Sequence, residues 1–198
     1  MCQGKQAKII TSKQTDIILA HLRANTRLPE KNVALFLLSL KAGLRSKECA
    51  NVIWKDCLNS DGEVGDYITI RDAVSKGENG GGIIPLNKDL KQALIDLWKI
   101  RKNKVNPSMK IIYSQQSSSC SANSVTVWFH RLYETLGFTG MSSHSGRATM
   151  ITSAARKISN CGGSLRDVQS LARHSSIANT ERYVRINEDA KKKVMDII

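Results

Sequence analysis

"PEKNVALFLLSLKAGLRSKE", residues 29–48, is the stretch whose reading decides the fold. Val33, Phe36, Leu37 and Leu40 keep the i, i+3, i+4, i+7 spacing of a helix, and Gly43 is a natural C-terminal cap. The segment is apolar nearly all round, which predicts a central helix covered on several sides. Arg45 follows at once, so its base is fixed by a packed element. Its planar fork suits a phosphate through two hydrogen bonds. Glu48, one helical turn on, can hold that guanidinium. The plain alternative is a surface i, i+3 ion pair worth about 0.2–0.5 kcal/mol.

Working outward, residues 11–25 start with capping types and then carry Ile17, Ile18 and Leu22 on a helical stripe. "RSKECANVIW", 45–54, reads as a short helix. "DYITIRD" and "GGIIPL" read as two strands joined by a Gly-rich turn. After Asn87, the stripe Leu90, Ala93, Leu94 and Leu97 predicts another helix, and "IIYS", 111–114, a short extended piece. Residues 123–138 predict a helix with Trp128, Leu132 and Leu136 inward, ending at Gly137. "SGRATMITSAARKIS" is a further helix, and "SLRDVQSLA" opens with a Ser164–Asp167 capping box. "NTERYVRI" and a basic tail helix, "EDAKKKVMDII", complete the chain. The expected class is α+β, mostly α-helical, with one small antiparallel sheet, over a single domain of residues 1–198.

Charge narrows the function. Thirty Lys and Arg against seventeen Asp and Glu leave a net +13, a field that favours polyanions, nucleic acid first. No apolar run approaches the ~18 residues of a membrane span. The start, "MCQGKQAKII", has no long apolar core of a secretory signal. Five cysteines at 2, 49, 57, 120 and 161, without a C-x-x-C pair, argue against disulfides and structural zinc. Reduced, mostly buried thiols in a cytoplasmic protein are expected. There is no G-x-x-x-x-G-K-[ST] loop for a nucleotide triphosphate, no H-E-x-x-H metal set and no carboxylate cluster for a two-metal nuclease.

The remaining reactive residues fall in three stretches. Lys76 lies in the turn of the predicted hairpin, where an ammonium can meet a phosphate or a leaving oxygen. Arg71 and Lys88 are its rivals, and lysines are common in polar turns. His144 and Arg147, in "HSGR", sit at a helical spacing near a helix start, where backbone N–H groups already favour an anion. His174 and Tyr183 are nine positions apart in "RHSSIANTERYV". A tyrosine is usually a core residue. As a nucleophile its phenol, with a pKa of about 10, is ionised to about one part in a thousand at pH 7, a deficit of roughly 4 kcal/mol. It then needs cationic neighbours or a base.

In order, these stretches resemble the catalytic domain of tyrosine recombinases, the phage-integrase family, from about Lys8 to the tail. "GLRSKE" matches with Arg45 and Glu48, "SKGENGGGIIPL" with Lys76, "HSGR" with His144 and Arg147, and "LARHSSIANTERY" with His174 and Tyr183. Ala172 and Arg173 replace the family's usual Leu-Gly pair, a change expected to be tolerated. The separate N-terminal DNA-gripping domain of most members has no room here. The chain therefore resembles the short fimbrial phase-switch recombinases or a catalytic fragment of a longer protein.

The resemblance implies a bacterial or phage-encoded site-specific recombinase of double-stranded DNA, cytoplasmic and nucleoid-associated. Tyr183 would attack a phosphodiester to form a 3′-phosphotyrosine, with Arg45, Arg147 and His174 on the phosphate. His144 would be the base, Lys76 the acid for the leaving 5′-oxygen, and Glu48 the support of Arg45. No metal or ATP is implied. It further implies a tetramer on DNA, a monomer when free, accessory bending or directionality proteins, and a tail, 184–198, docked on a neighbouring protomer or folded back on its own domain. The rivals are type IB topoisomerase-like relaxation, a non-catalytic DNA-binding regulator on the same fold, and a basic RNA-binding protein.

Overall fold

Residues 29–43 form the expected helix, α2 (Pro29–Ala42), in a computed structural model that describes residues 7–74, 81–114, 117–184 and 195. Pro29 opens it, where a missing N–H costs nothing. Gly43 closes it at φ 63°, and the Leu44 N–H returns to the Leu38 carbonyl at 3.1 Å. Every residue from Lys31 to Leu40 is buried, because α1 (Ser12–Ala24), α3 (Ser46–Asn51) and α4 (Lys88–Arg101) all pack against it. Burying one leucine side chain contributes about 1.5–3 kcal/mol, so this helix anchors the core.

The chain divides into two compact units, residues 1–150 and 151–198. In the first, β1 (Tyr67–Ile70) pairs antiparallel with β2 (Gly82–Pro85), with Ile68 opposite Ile84. Ile68, Ile70 and Ile84 are buried while Tyr67 and Ile83 face solvent, the alternation of a half-buried sheet. α5 (Ala122–Thr135) packs on α3, and Trp54 and Trp98 meet with ring centres 4.7 Å apart. α6 (Ser145–Lys157) carries the boundary between the units. In the second unit α7 (Leu165–Ala172) packs on α8 (Ile177–Glu181), burying Val168, Ala172 and Thr180. The result is the mostly helical α+β class with a small antiparallel sheet.

Several local expectations are corrected. Ile17 is 41% exposed, and only Ile18 and Leu22 of its stripe are buried. α3 ends at Asn51 and a separate 3₁₀ turn holds Trp54–Asp56. Residues 111–114 form no strand, and extended pairing there is limited to an isolated bridge between Ile53 and Lys110. In α5 the inward face is Val125, Phe129, Leu132 and Tyr133, with Trp128 and Leu136 half-buried beside it. The apolar residues of α5 span more than one stripe, and packing on α3 selects the one centred on Phe129. Among the described cysteines, Cys49 and Cys57 are buried, Cys120 is half-buried and Cys161 is exposed. Burial pushes the Cys57 thiol pKa up to about 12. The tail helix lies outside the described residues except Met195.

Candidate active site

The C-terminal end of α2 organises one group of candidate residues. Gly43 adopts a left-handed conformation that favours glycine, and an added Cβ would run into Met150 Cε. Its carbonyl accepts a hydrogen bond from Arg147 Nη1, and Arg147 is only 5% exposed. Two residues beyond Gly43, Arg45 is the N-cap of α3. Glu48 accepts from the Arg45 backbone N–H at 2.7 Å and from Arg45 Nη1 at 2.9 Å. Glu48 is 1% exposed and the Arg45 side chain 26%, so this pair is no surface ion pair. Two guanidiniums are thereby fixed on one turn, one buried and one a quarter open to solvent.

Gly146 lets α6 approach α2. A Cβ there would collide with Ser39 Oγ and stand 3.1 Å from the Leu40 nitrogen. This close approach carries Arg147 to the Gly43 carbonyl. His144 is exposed, whereas Arg147, three positions on, is buried. It precedes α6, its carbonyl accepts from the Ala148 N–H at 2.9 Å, and its side chain is exposed. Ser142 and the buried Ser145 brace the turn, with the Ser142 N–H on Ser145 Oγ at 3.0 Å.

The second unit brings His174 and Tyr183 together. Their rings stack with centroids 6.0 Å apart and planes 23° apart. His174 Nδ1 is 2.9 Å from Oγ1 of the fully buried Thr180, which orients the imidazole. Tyr183 is half-buried and its N–H bonds the Thr180 carbonyl at 2.9 Å, so one threonine positions both side chains. The C-cap of α7 is Arg173 at φ 52°, the one non-glycine residue with positive φ among those described.

Lys76 lies outside the described residues. Of its rivals, Arg71 is engaged elsewhere, with Nε 3.0 Å from Asp56 Oδ1 and Nη2 3.1 Å from the Asn51 carbonyl. Lys88 opens α4. Sequence reasoning missed the Gly43 carbonyl, Gly146 and Thr180. Only the glycines carry a signal, standing next to arginine or histidine motifs. Among the described residues no group of three or more His, Cys, Asp or Glu is placed to hold a metal, and no helix is long and apolar enough to cross a membrane.

Residues 8–190 match the model of the phage integrase family. Solved structures share the fold. The Tn1549 transposon integrase in complex with transposon right end DNA superposes with a TM-score of 0.76 at 20% identity, covering 100% of this chain and 68% of that one. XerA recombinase gives 0.70 at 18%, covering 96% and 65%, and a lambda integrase dimer bound to a COC′ core site gives 0.65 at 17%, covering 94% and 52%. The chain thus spans about half to two thirds of these proteins. No curated protein matches the sequence significantly.

Proposed function

Because this chain belongs to the phage integrase family, we propose that it is the catalytic part of a site-specific DNA recombinase, with Tyr183 as nucleophile. The Tyr183 oxygen attacks a backbone phosphorus, the bond from phosphorus to the 5′-oxygen breaks, and a 3′-phosphotyrosine forms. His144 takes the phenol proton and Lys76 supplies one to the departing 5′-oxygen. Arg45 and Arg147 bind the non-bridging oxygens as charge grows on them, where one lost contact commonly costs about 100- to 1000-fold. His174 donates to the same phosphate, and Glu48 keeps Arg45 in place. The covalent link preserves the bond energy, so attack by another 5′-hydroxyl rejoins the strand without ATP, and no step needs a metal.

The observation that carries this reading is the pairing of Arg45 and Arg147 around the Gly43 turn. A buried guanidinium tied to a carbonyl beside a second one held by a buried carboxylate is a phosphate clamp built at some cost to desolvation. The stacked His174–Tyr183 pair supports it independently. Strand exchange then takes place in a tetramer on double-stranded DNA in the cytoplasm. Accessory DNA-bending or directionality proteins set the outcome, and the tail, 184–198, lies outside the described residues apart from Val184 and Met195.

Covalent trapping tests the proposal. The protein is mixed with DNA flanking its own gene, denatured in detergent and assayed for protein on DNA 3′ ends. Adducts are expected with the wild type and not with Tyr183→Phe. Adducts that persist in the variant would overturn the assignment of the nucleophile. Tight DNA binding with no adduct from either protein would point to the regulator reading. Site-independent relaxation of supercoiled plasmid would point to a topoisomerase.

A further inference from the structure

A separate feature lies in the first unit, where the start of α2 meets α5 and Ile112, Ser114 and Cys120. An open cavity of about 570 Å³ is walled by Leu35, Ile112, Val127 and Trp128. That volume suits a small ligand. Two cations, Lys31 and Arg131, line it, and no carboxylate does among the described residues.

Lys31 is the unusual member. It is only 9% exposed and lines the cavity. It also stands in the first turn of α2, at the positive end of the helix dipole, where a cation is disfavoured. Burial holds its pKa below the ordinary lysine value, opposed by the neighbouring Cys120. A largely buried cation on the wrong end of a helix, facing a hollow of mixed polar and apolar lining, is disfavoured both by the dipole and by burial. An anion arriving in the hollow offsets both effects.

We propose that this cavity binds a small amphiphilic anion, an aromatic or branched aliphatic carboxylate whose charge meets Lys31 and whose apolar body rests on Leu35, Ile112 and Trp128. Asn123 and Ser124, on the rim at the start of α5, add hydrogen-bonding groups for the carboxylate. Arg131 gives the entrance the same sign of charge, which draws anions in. The inference does not depend on the recombinase reading.

The test uses the full chain with 2-naphthoate as probe and its neutral counterpart, 2-naphthylmethanol, as control. Titration calorimetry is expected to show saturable one-to-one binding of naphthoate. The alcohol should bind about tenfold or more weakly, since a hydrogen-bonded charge is lost. Lys31→Met should abolish that difference while melting no earlier than the wild type, because burial disfavours the lysine charge and methionine has none. The Trp128 indole N–H resonance, assigned with Trp128→Phe, should shift on binding. Val127→Trp, filling the mouth from an exposed position, should block the probe without touching Lys31. The proposal is overturned if naphthoate does not saturate, if the alcohol binds as well, or if Lys31→Met binds naphthoate unchanged. It is equally overturned if naphthoate never binds and Lys31→Met lowers DNA affinity, which would make Lys31 a phosphate contact.

Discussion

Glu48 answers Arg45 twice, once at the backbone and once at the guanidinium, from a position 1% exposed. Glutamine in its place has one carbonyl oxygen and no charge, so it can serve only one of those donors and turns its NH₂ toward the other. Breaking a wholly buried ion pair costs about 3–5 kcal/mol. The quarter exposure of Arg45 lowers the expectation for Glu48→Gln to roughly 2–3 kcal/mol. Urea unfolding measures it, and an unchanged midpoint would show that the pair contributes nothing. If Arg45 clamps the phosphate, the same variant also cleaves at least about tenfold more slowly. Arg45, Glu48, His144, Arg147, His174 and Tyr183 could be singled out in the sequence as candidates because each sits in a short motif of marked chemistry. Their partners could not. Arg147 bonds a carbonyl 104 positions away, and the Gly146–Ser39 approach depends on how two helices meet. No local pattern encodes either contact.

Among elements, α2 was readable because its apolar residues are dense and its cap is a glycine. α5 was misphased because it offers more than one apolar stripe, and only the packing of Phe129 and Tyr133 decides between them. α7 shows a cost the sequence concealed. Replacing the family's usual Leu-Gly pair with Ala172 and Arg173 puts a side chain at φ 52°. A left-handed residue other than glycine costs about 1–2 kcal/mol, partly returned by the entropy glycine would lose. Arg173→Gly is therefore expected to stabilise the protein by about 0.5–1 kcal/mol, seen as a higher Tm. At the other end of α7, Asp167 Oδ2 accepts from the Ser164 N–H at 2.7 Å and the Ser164 hydroxyl at 2.9 Å. Those bonds, the backbone one first, hold its carboxyl below the usual aspartate range. Since the folded pKa is the lower one, the cap acts fully above the unfolded aspartate pKa and is lost as pH falls through the folded value. Amide exchange should show the α7 amides losing protection below about pH 4. Asp167→Asn, which accepts at every pH, should flatten that dependence, and an identical acid profile would rule out the cap as its source.

At the scale of the whole molecule the net charge of +13 is set by seventeen acids against thirty bases, and part of the acid is already spent. Glu48, Asp56, Asp66, Asp89 and Glu63 each pair with a lysine or arginine of this chain. The acids that remain cannot neutralise the rest of the basic surface, so the uncompensated charge is available to a polyanion. Phosphates neutralised by a protein release condensed counterions, and the logarithm of the affinity falls with the logarithm of salt by about 0.9 per contact. A duplex footprint of roughly 6–10 phosphates then costs about 10³–10⁵ in affinity between 50 and 200 mM salt. Titration of duplex DNA across that range should give this slope for the wild type. Tyr183→Phe should leave it unchanged, because the substitution removes no lysine or arginine contact to a phosphate. Arg45→Gln should make it shallower by about one contact, since that guanidinium is open enough to reach a phosphate. A slope near zero would mean that the excess charge does not face the duplex. A normal slope that Arg45→Gln leaves untouched would place Arg45 outside the phosphate contacts, and with it the clamp on which the catalytic reading rests.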